Sequence, residues 1–298
     1  MKIIKIGIFL LLFCNVVKAS DSLSTQNDRK KRYIIAGTEA FCYAASYSGL
    51  GVLWYSDYPK SDFHFKNDIH EWMRMDKFGH AFSGYWISRG NYELFKWANF
   101  SDNKAIMISM ASSWLYMSTI EVFDGFSSQY GASQTDILAN TLGTTLFGFQ
   151  QYFWKEQKVL YKFCFYPSPY AKYRPDEFGT NYMNNLLKDY NGQIYWFSTG
   201  IQNLTGVKAI PQWLNIAVGF GAHGMTGGYE NYKEVVNGLT PIPNSERARQ
   251  IYFSFDINME KIKTKNKVLK ATLLALNAIK FPLPTIQINR SSTKIVIR

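Results

Sequence analysis

The chain has 298 residues, of which 17% are aromatic and 18% charged, so its apolar content suffices for one large domain or two modest ones. This composition excludes a disordered chain and favours a packed or membrane-contacting protein. The net charge of +11 indicates an anionic partner. Because the sequence has no nucleic-acid recognition motif, we expect membrane or anionic envelope lipid and no nucleic acid.

Residues 1–19 have the three parts of a secretory signal peptide. Two lysines form the basic start, residues 6–13 form the apolar core, and Ala19 ends a small-residue cleavage site. Lipidation of Cys14 is the alternative, although the bulky residue before it departs from a lipoprotein signal. We therefore expect export to the bacterial periplasm or cell envelope and association with a membrane, with the lipid anchor in doubt.

Residues 20–32 form a polar leader that ends in four basic residues. Residues 33–55 are then largely apolar and long enough to span a bilayer. Glu39 and several small polar residues interrupt this stretch, which favours a buried core helix over a span. A span here would place its basic start in the cytoplasm, in conflict with a cleaved signal peptide.

Helical periodicity continues through the first half of the mature chain. Residues 68–89, 104–124 and 133–154 predict three further helices, so residues 33–160 form a helical bundle of about four helices. Three prolines and a glycine between residues 161 and 181 mark the domain boundary. The expected fold class is mainly α, with the bundle followed by a mixed α+β region.

Residues 161–298 are predicted to form this mixed region, packed on the bundle. Its elements are a short helix at 181–189, strands at 193–197, 214–219 and 250–256, a lysine-rich helix at 260–279 and a terminal hairpin at 285–298. Cys42 and Cys164 each have apolar neighbours, and a disulfide and two buried free thiols are equally compatible with the sequence.

Asp76 and His80 are four residues apart, which places them on one face of a helix. In a catalytic interpretation, the carboxylate orients an imidazole that acts as general base or metal ligand. In a structural interpretation, the pair forms a hydrogen bond in a packed interior. Many such pairs arise by chance, so spacing alone favours the structural interpretation.

Glu121 and Asp124 lie near a helix C-terminus, where negative charge opposes the helix dipole and calls for a compensating cation. Lys77 can neutralise one of them. The alternative is a divalent metal ion, and the sequence contains no compact motif for it such as His-Glu-x-x-His. The candidate metal ligands are Asp76, His80, Glu121 and Asp124.

Ser133 and Asp136 have the spacing of a helix N-cap. Asn140 follows on the same face, and an amide inside an apolar helix needs a partner across it. Gly143, one turn later, is more typical of close helix contact than of catalysis. These residues complete a predicted binding or structural polar cluster, which contains Lys77, Asp124, Ser133, Asp136 and Asn140 in addition to the candidate catalytic residues His80, Asp76 and Glu121.

The ordered motifs resemble an uncharacterised bacterial family of predicted periplasmic lipoproteins, known as domain of unknown function DUF2279. They are Asp76-Lys-x-Gly-His80, Glu121-x-x-Asp-Gly-Phe126 and Gly131-Ala-Ser-x-x-Asp136-x-x-x-Asn140-x-x-Gly143. Further motifs between Tyr195 and Pro284 look like its C-terminal half, and the first half is distantly similar to VanZ-like membrane proteins. The resemblance implies a helical core at the envelope and no known reaction.

Two functions remain open. The first is a non-catalytic envelope protein whose buried Asp/His/Glu/Asn cluster locks helix packing, while the strand-rich half contacts a membrane or partner. The second is a hydrolase for an amphiphilic lipid phosphate or lipid-linked sugar. In it His80 is the base, Asp76 orients it, and Glu121, Asp124 and Asp136 supply acid or metal-binding groups. The sequence lacks the lipid-phosphatase pattern, which favours the first function.

Overall fold

The computed structural model describes residues 26–55, 58–232, 245–289 and 292–298. The predicted signal peptide, Cys14 and the start of the leader lie outside the described residues. The chain divides into two compact units. The helical unit comprises Met1–Asn67 and Ser83–Lys155, and the sheet unit comprises Asp68–Phe82 and Glu156–Arg298. The predicted domain limits stay predictions.

Four long helices occur in the first half of the described chain, as predicted. Helix α1 starts inside the predicted leader and continues into a π-helical turn, Gly51–Tyr55. Helix α2 starts and ends later than the predicted helix 68–89. Its first residues, up to Phe82, belong to the sheet unit. The helices are α1 Gln26–Leu50, α2 Met75–Trp97, α3 Asp102–Asp124 and α4 Gln134–Trp154.

The sheet unit contains a six-stranded antiparallel sheet in which each strand pairs with its neighbours in sequence. The prediction of a mainly α protein is therefore wrong, and the fold class is α+β. The strands predicted at 193–197, 214–219 and 250–256 and the terminal hairpin are present, whereas β1 was not predicted. The strands are β1 Val159–Phe165, β2 Gln193–Gly200, β3 Leu214–His223, β4 Ala248–Ile257, β5 Pro284–Asn289 and β6 Ser292–Ile297.

One face of the sheet carries a core around Trp196, which is fully buried against Tyr252 and Cys164. Gly219 on β3 lies opposite Trp196, and a Cβ atom there would come within 2.7 Å of the indole ring. A glycine is therefore required for the ring to lie across the neighbouring strand. Lys162 and Asp256 form an ion pair of 2.8 Å on this face, and both side chains are fully buried.

The opposite face of the sheet is partly covered by the start of α2. Phe78 stacks on Tyr195 with ring centroids 6.0 Å apart, and Phe82 packs edge-on against Tyr161. Strands β4 to β6 leave apolar side chains exposed, among them Phe253, Ile286 and Ile295.

The described part of the sheet unit also contains four shorter α-helices: α5 Pro175–Phe178, α6 Tyr182–Lys188, α7 Ile201–Thr205 and α8 Lys267–Leu276. The predicted lysine-rich helix is shorter than residues 260–279. Its first residues form a 3-10 turn, Met259–Lys261, and Asn266 accepts hydrogen bonds from the N–H groups of Val268 and Leu269. An asparagine in this position caps a new helix, so α8 starts only after it.

Candidate functional site

The sequence-predicted residues Asp76, Lys77 and His80 lie in the first two turns of α2, in the part that belongs to the sheet unit. The ammonium group of Lys77 contacts Asp76 Oδ2 at 2.8 Å and Asp68 Oδ2 at 2.7 Å. All three side chains are largely buried, with 10–13% of their surface exposed. Lys77 therefore compensates two carboxylates of its own unit. Asp68 was not predicted as a site residue. The helix predicted from residue 68 starts only at Met75, after a 3-10 turn at Glu71–Arg74, so Asp68 lies in the segment before the helix.

His80 is half-buried one turn beyond Asp76, as the spacing predicts. Between them, Gly79 lies against Tyr195, whose hydroxyl oxygen would be 2.9 Å from a Cβ atom on residue 79. Tyr195 donates a hydrogen bond to Gln193 Oε1 at 2.8 Å. Burial, and then the negative charge of Asp76, hold the pKa of Tyr195 well above its usual range. Tyr195 is therefore a neutral phenol at physiological pH.

In the helical unit, Glu121 meets the start of α4. Its Oε2 atom accepts a hydrogen bond of 3.1 Å from the backbone N–H of Ser133, and the Ser133 hydroxyl accepts one of 3.0 Å from the N–H of Asp136. The N-cap predicted at Ser133 is confirmed. Glu121 lies near the C-terminus of α3, where the helix dipole disfavours a negative charge. Its carboxylate also faces the N-terminus of α4, where the dipole favours a negative charge. All three residues are buried, at 2%, 1% and 6% exposed.

Asp124, the last residue of α3, has a different partner from Glu121. Its Oδ1 atom accepts a hydrogen bond of 2.7 Å from the hydroxyl group of Tyr55, in the π-helical turn after α1. The sequence gives no local signal for this contact, because the tyrosine lies in another helical segment. Glu121 and Asp124 thus accept hydrogen bonds from different groups, and both carboxylates interact electrostatically with Tyr55.

Asn140 is fully buried on α4. Its backbone oxygen accepts a hydrogen bond of 3.1 Å from Thr144 Oγ1 and lies 2.9 Å from the place where Gly84 would carry a Cβ atom. Helices α2 and α4 thus approach closely at Gly84, a residue that the sequence did not single out. The sequence signal that could have indicated this close approach is the pair of small residues near Gly84, Ser83 and Ser88.

The candidate residues thus fall into two groups. Glu121, Ser133 and Asp136 come together in the helical unit, and Asp76 and Lys77 in the sheet unit. The predicted catalytic set of His80, Asp76 and Glu121 has members in both units and stays a prediction. The same holds for the predicted metal ligands Asp76, His80, Glu121 and Asp124. Within each unit, the contacts above are those of helix caps and ion pairs.

The interior of the helical unit is unusually polar. The amide of Asn91 donates hydrogen bonds of 3.0 Å to the Tyr43 hydroxyl and to Ser112 Oγ, which are themselves 2.8 Å apart. Ser113 donates a hydrogen bond of 2.9 Å to the backbone oxygen of Gly84. All of these side chains are buried. Small polar residues thus share the space between helices with buried apolar side chains such as Phe95 and Phe147, whereas a water-soluble bundle normally places mainly aliphatic side chains there.

The outward side of the same bundle is apolar. On α3 and α4 the exposed side chains form a surface that we call the apolar outer face, and they are Met107, Trp114, Leu115, Val122, Phe123, Leu138, Leu142, Phe149 and Phe153. Their exposed fractions reach 70% at Met107 and 60% at Leu142. Among the described residues, α3 is the one helix apolar and long enough to cross a membrane by length and composition.

One end of the helical unit is basic and aromatic. Lys31 lies over the ring of Trp97 at 5.4 Å, and Lys96 pairs with Asp102 at 2.5 Å. Lys155, the residue after α4, also interacts electrostatically with Asp102, so the end of α4 lies near the start of α3. We call Lys31, Lys96, Trp97 and Lys155 the basic rim.

Comparison with known proteins identifies one family. Residues 64–151 match the sequence model of a family described as predicted periplasmic lipoprotein, DUF2279. The match covers less than a third of the chain but includes every candidate residue from Asp76 to Asn140, so the resemblance is confirmed for this segment. The similarity predicted for the C-terminal half and that to VanZ-like proteins stay predictions. No curated protein and no solved structure gave a match.

Proposed function

We propose that the chain is an exported envelope protein whose α3 and α4 helices contact membrane lipid, and whose polar cluster has a structural role in helix packing. The observation that carries this proposal is the distribution of polarity in the helical unit, where serines, Asn91 and Glu121 are buried while the apolar outer face is exposed. In lipid, apolar side chains gain nothing from burial between helices, whereas small residues and hydrogen bonds hold helices together.

The helix lengths suit this environment. Helix α3 has 23 residues and α4 has 21. At about 1.5 Å per residue they extend about 32–35 Å, which matches a hydrocarbon layer of about 30 Å. The buried side chains of Tyr43, Asn91 and Ser112 hydrogen-bond to one another within the unit, as a site without water requires.

The basic rim supports the same placement. Tryptophan and lysine side chains concentrate where a helix bundle meets the headgroup layer, because each has an apolar body and a polar or charged tip. Trp97 is 49% exposed and Lys31 lies over its ring. Anionic headgroups would complement the net charge of the chain. The description of the family matched by residues 64–151 supports export to the envelope.

We favour this structural role over the hydrolase alternative. Glu121, Ser133 and Asp136 are buried and hydrogen-bonded at the junction of two helices, which is a structural arrangement. We therefore assign the cluster to helix packing.

Lipid contact can be tested through Trp114, whose indole N–H donates a hydrogen bond of 2.9 Å to Thr141 on the apolar outer face. The full chain is recovered from membranes washed with alkaline carbonate and reconstituted in vesicles with brominated lipid. Quenching of tryptophan fluorescence should fall in Trp114→Phe. The control Trp196→Phe removes a fully buried indole and should leave quenching unchanged. A chain released by carbonate, with no quenching assigned to Trp114, would contradict the proposal.

A further inference from the structure

A polar cavity lies at one end of the sheet, where β2 and β4 end and β3 begins. Its volume is about 120 Å³. Six side-chain amides line it, with Gly200 in its wall. They are Gln157, Gln202, Asn203, Gln212, Asn215 and Asn258. An enclosed cavity of about 150 Å³ accepts a benzene ring, so this smaller one holds the inserted part of a six-membered ring, with the rest of the ring at its mouth.

The orientation of one amide is fixed by a buried chain of polar groups. Lys162 pairs with Asp256 Oδ2, which accepts a hydrogen bond of 2.6 Å from Ser198. Because the serine proton is committed to Asp256, Ser198 Oγ accepts from the Asn215 amide nitrogen, at 2.9 Å. The side-chain oxygen of Asn215, Oδ1, therefore points away from Ser198.

That oxygen is a buried acceptor without a hydrogen-bond partner among the described residues, in a side chain only 1% exposed. Leaving such an acceptor unmatched is costly, so it needs a donor from outside the described residues, which is an ordered water or a ligand. Asn215 lines the cavity, so a hydroxyl or N–H group of a ligand bound there would satisfy it.

The charge of the cavity wall identifies the ligand class. Its two charged residues, Glu156 and Lys261, pair with each other at 3.1 Å, so the wall is close to neutral. Each amide offers both donors and an acceptor. A neutral ligand rich in hydroxyl groups fits this surface, and a strongly ionic ligand does not.

An open apolar groove adjoins the cavity and shares Gln212 and Lys261 with it. Trp213 lines the groove and is 42% exposed, with Ile257 and Ile262 beside it. An exposed indole provides a flat face for the apolar part of an amphiphilic ligand. We propose that the cavity binds one neutral pyranose ring of a glycoside and that the groove holds its apolar aglycone.

The proposal is tested by titrating the full chain, held in lipid nanodiscs without glycosidic detergent, with two probes. Methyl glucoside presents the ring alone, and octyl glucoside below its micellar concentration adds the aglycone. Saturation-transfer NMR and Trp213 fluorescence should report saturable binding of both, tighter for octyl glucoside. No saturable binding of either probe at about 10 mM, a range where ordinary weak sites are filled, would overturn the proposal.

Gly200→Ala locates the site. The new Cβ atom would lie 3.2 Å from Asn203 Nδ2 and 3.5 Å from Asn215 Oδ1, and the Gly200 φ of −64° suits alanine. We expect binding to weaken about tenfold, while Gly90→Ala, with no atom within 4 Å, leaves it unchanged. Gln202→Ala, at the cavity rim, is the second variant should the first fold poorly. Equal affinities in all of these chains would refute the assignment.

Trp213→Ala distinguishes the groove from the cavity. It should remove the advantage of octyl over methyl glucoside and leave methyl glucoside binding nearly unchanged. Tyr182→Ala is the matched control, because Tyr182 is an exposed aromatic residue of the same unit at 58%. An advantage that survives Trp213→Ala would overturn the groove assignment. This site is independent of the lipid contacts proposed above, so either proposal can fail alone.

Discussion

Leu142 lies near the middle of α4, about 12 Å from its start, and exposes 60% of its side chain on the apolar outer face. At the centre of a membrane helix, lysine costs about 2.5–3.5 kcal/mol and leucine contributes about 0.3–0.6 kcal/mol. Leu142→Lys should therefore disfavour membrane integration by about 3–4 kcal/mol. This corresponds to a fall of at least roughly a hundredfold in the ratio of integrated to released protein.

The assay is quantification of the chain in carbonate-resistant and carbonate-released fractions after expression at equal levels. Leu204→Lys is the matched control, because Leu204 on α7 is also 60% exposed but lies outside the apolar outer face. In water, such surface substitutions change stability by only about 0.5 kcal/mol. If both variants integrate as well as the parent chain, α4 does not contact lipid and the reasoning fails.

Three further outcomes follow from single contacts. Ser133→Ala removes the cap on Asp136 and should lower the free energy of unfolding by about 1 kcal/mol in denaturant titrations, with no change in exposed Ser128→Ala. Asp256→Asn should cost about 3–5 kcal/mol in the same assay, because it leaves a buried lysine uncompensated; a loss below about 1 kcal/mol would contradict this. Burial raises the pKa of Cys164 to about 11, so of the two cysteines in the described residues, maleimide in detergent should label exposed Cys42 and spare Cys164 until the chain unfolds; early labelling of both would count against the fold.

The positions of α3 and α4 are predictable because their periodicity and the cap at Ser133 are local properties. The face of each helix that turns toward the inside of the unit is not predictable from the sequence. An apolar face of a helix turns toward a protein core in water and toward the acyl chains in a bilayer, and the period is the same in both. The exposed positions of Met107 and Leu142 are the basis of the proposed lipid contact, and they appear only in three dimensions.

The candidate site was predictable in part. The sequence identifies Glu121, Ser133 and Asp136 as residues of one cluster, and the hydrogen bonds between them agree. The sequence predicts that the negative charge of Glu121 needs compensation, and it suggests a cation for this role. The observed hydrogen bond to Glu121 comes instead from a backbone N–H group at the N-terminus of α4. Dipoles at the ends of other helices depend on tertiary position, so local spacing does not reveal them.

The sheet shows the same limit. Strand β1 was missed because Lys162 interrupts its apolar pattern, and the carboxylate that makes its burial possible, Asp256, lies on β4. The amide-lined cavity was missed for a similar reason. Its side chains come from segments between Glu156 and Lys261 that are separated by whole strands, and none of them forms a motif.

The strand order has a consequence for how the sheet assembles. Because every strand of the sheet pairs with the one before it in sequence, the sheet can assemble strand by strand as the chain emerges, with β6 added last. A chain cut off before β5 would leave β4 as the edge, with Ile251 and Phe253 beside unpaired backbone groups. Such an edge invites pairing with other chains. The β5–β6 hairpin thus covers the edge of β4. Chains truncated before this hairpin are expected to aggregate and be degraded.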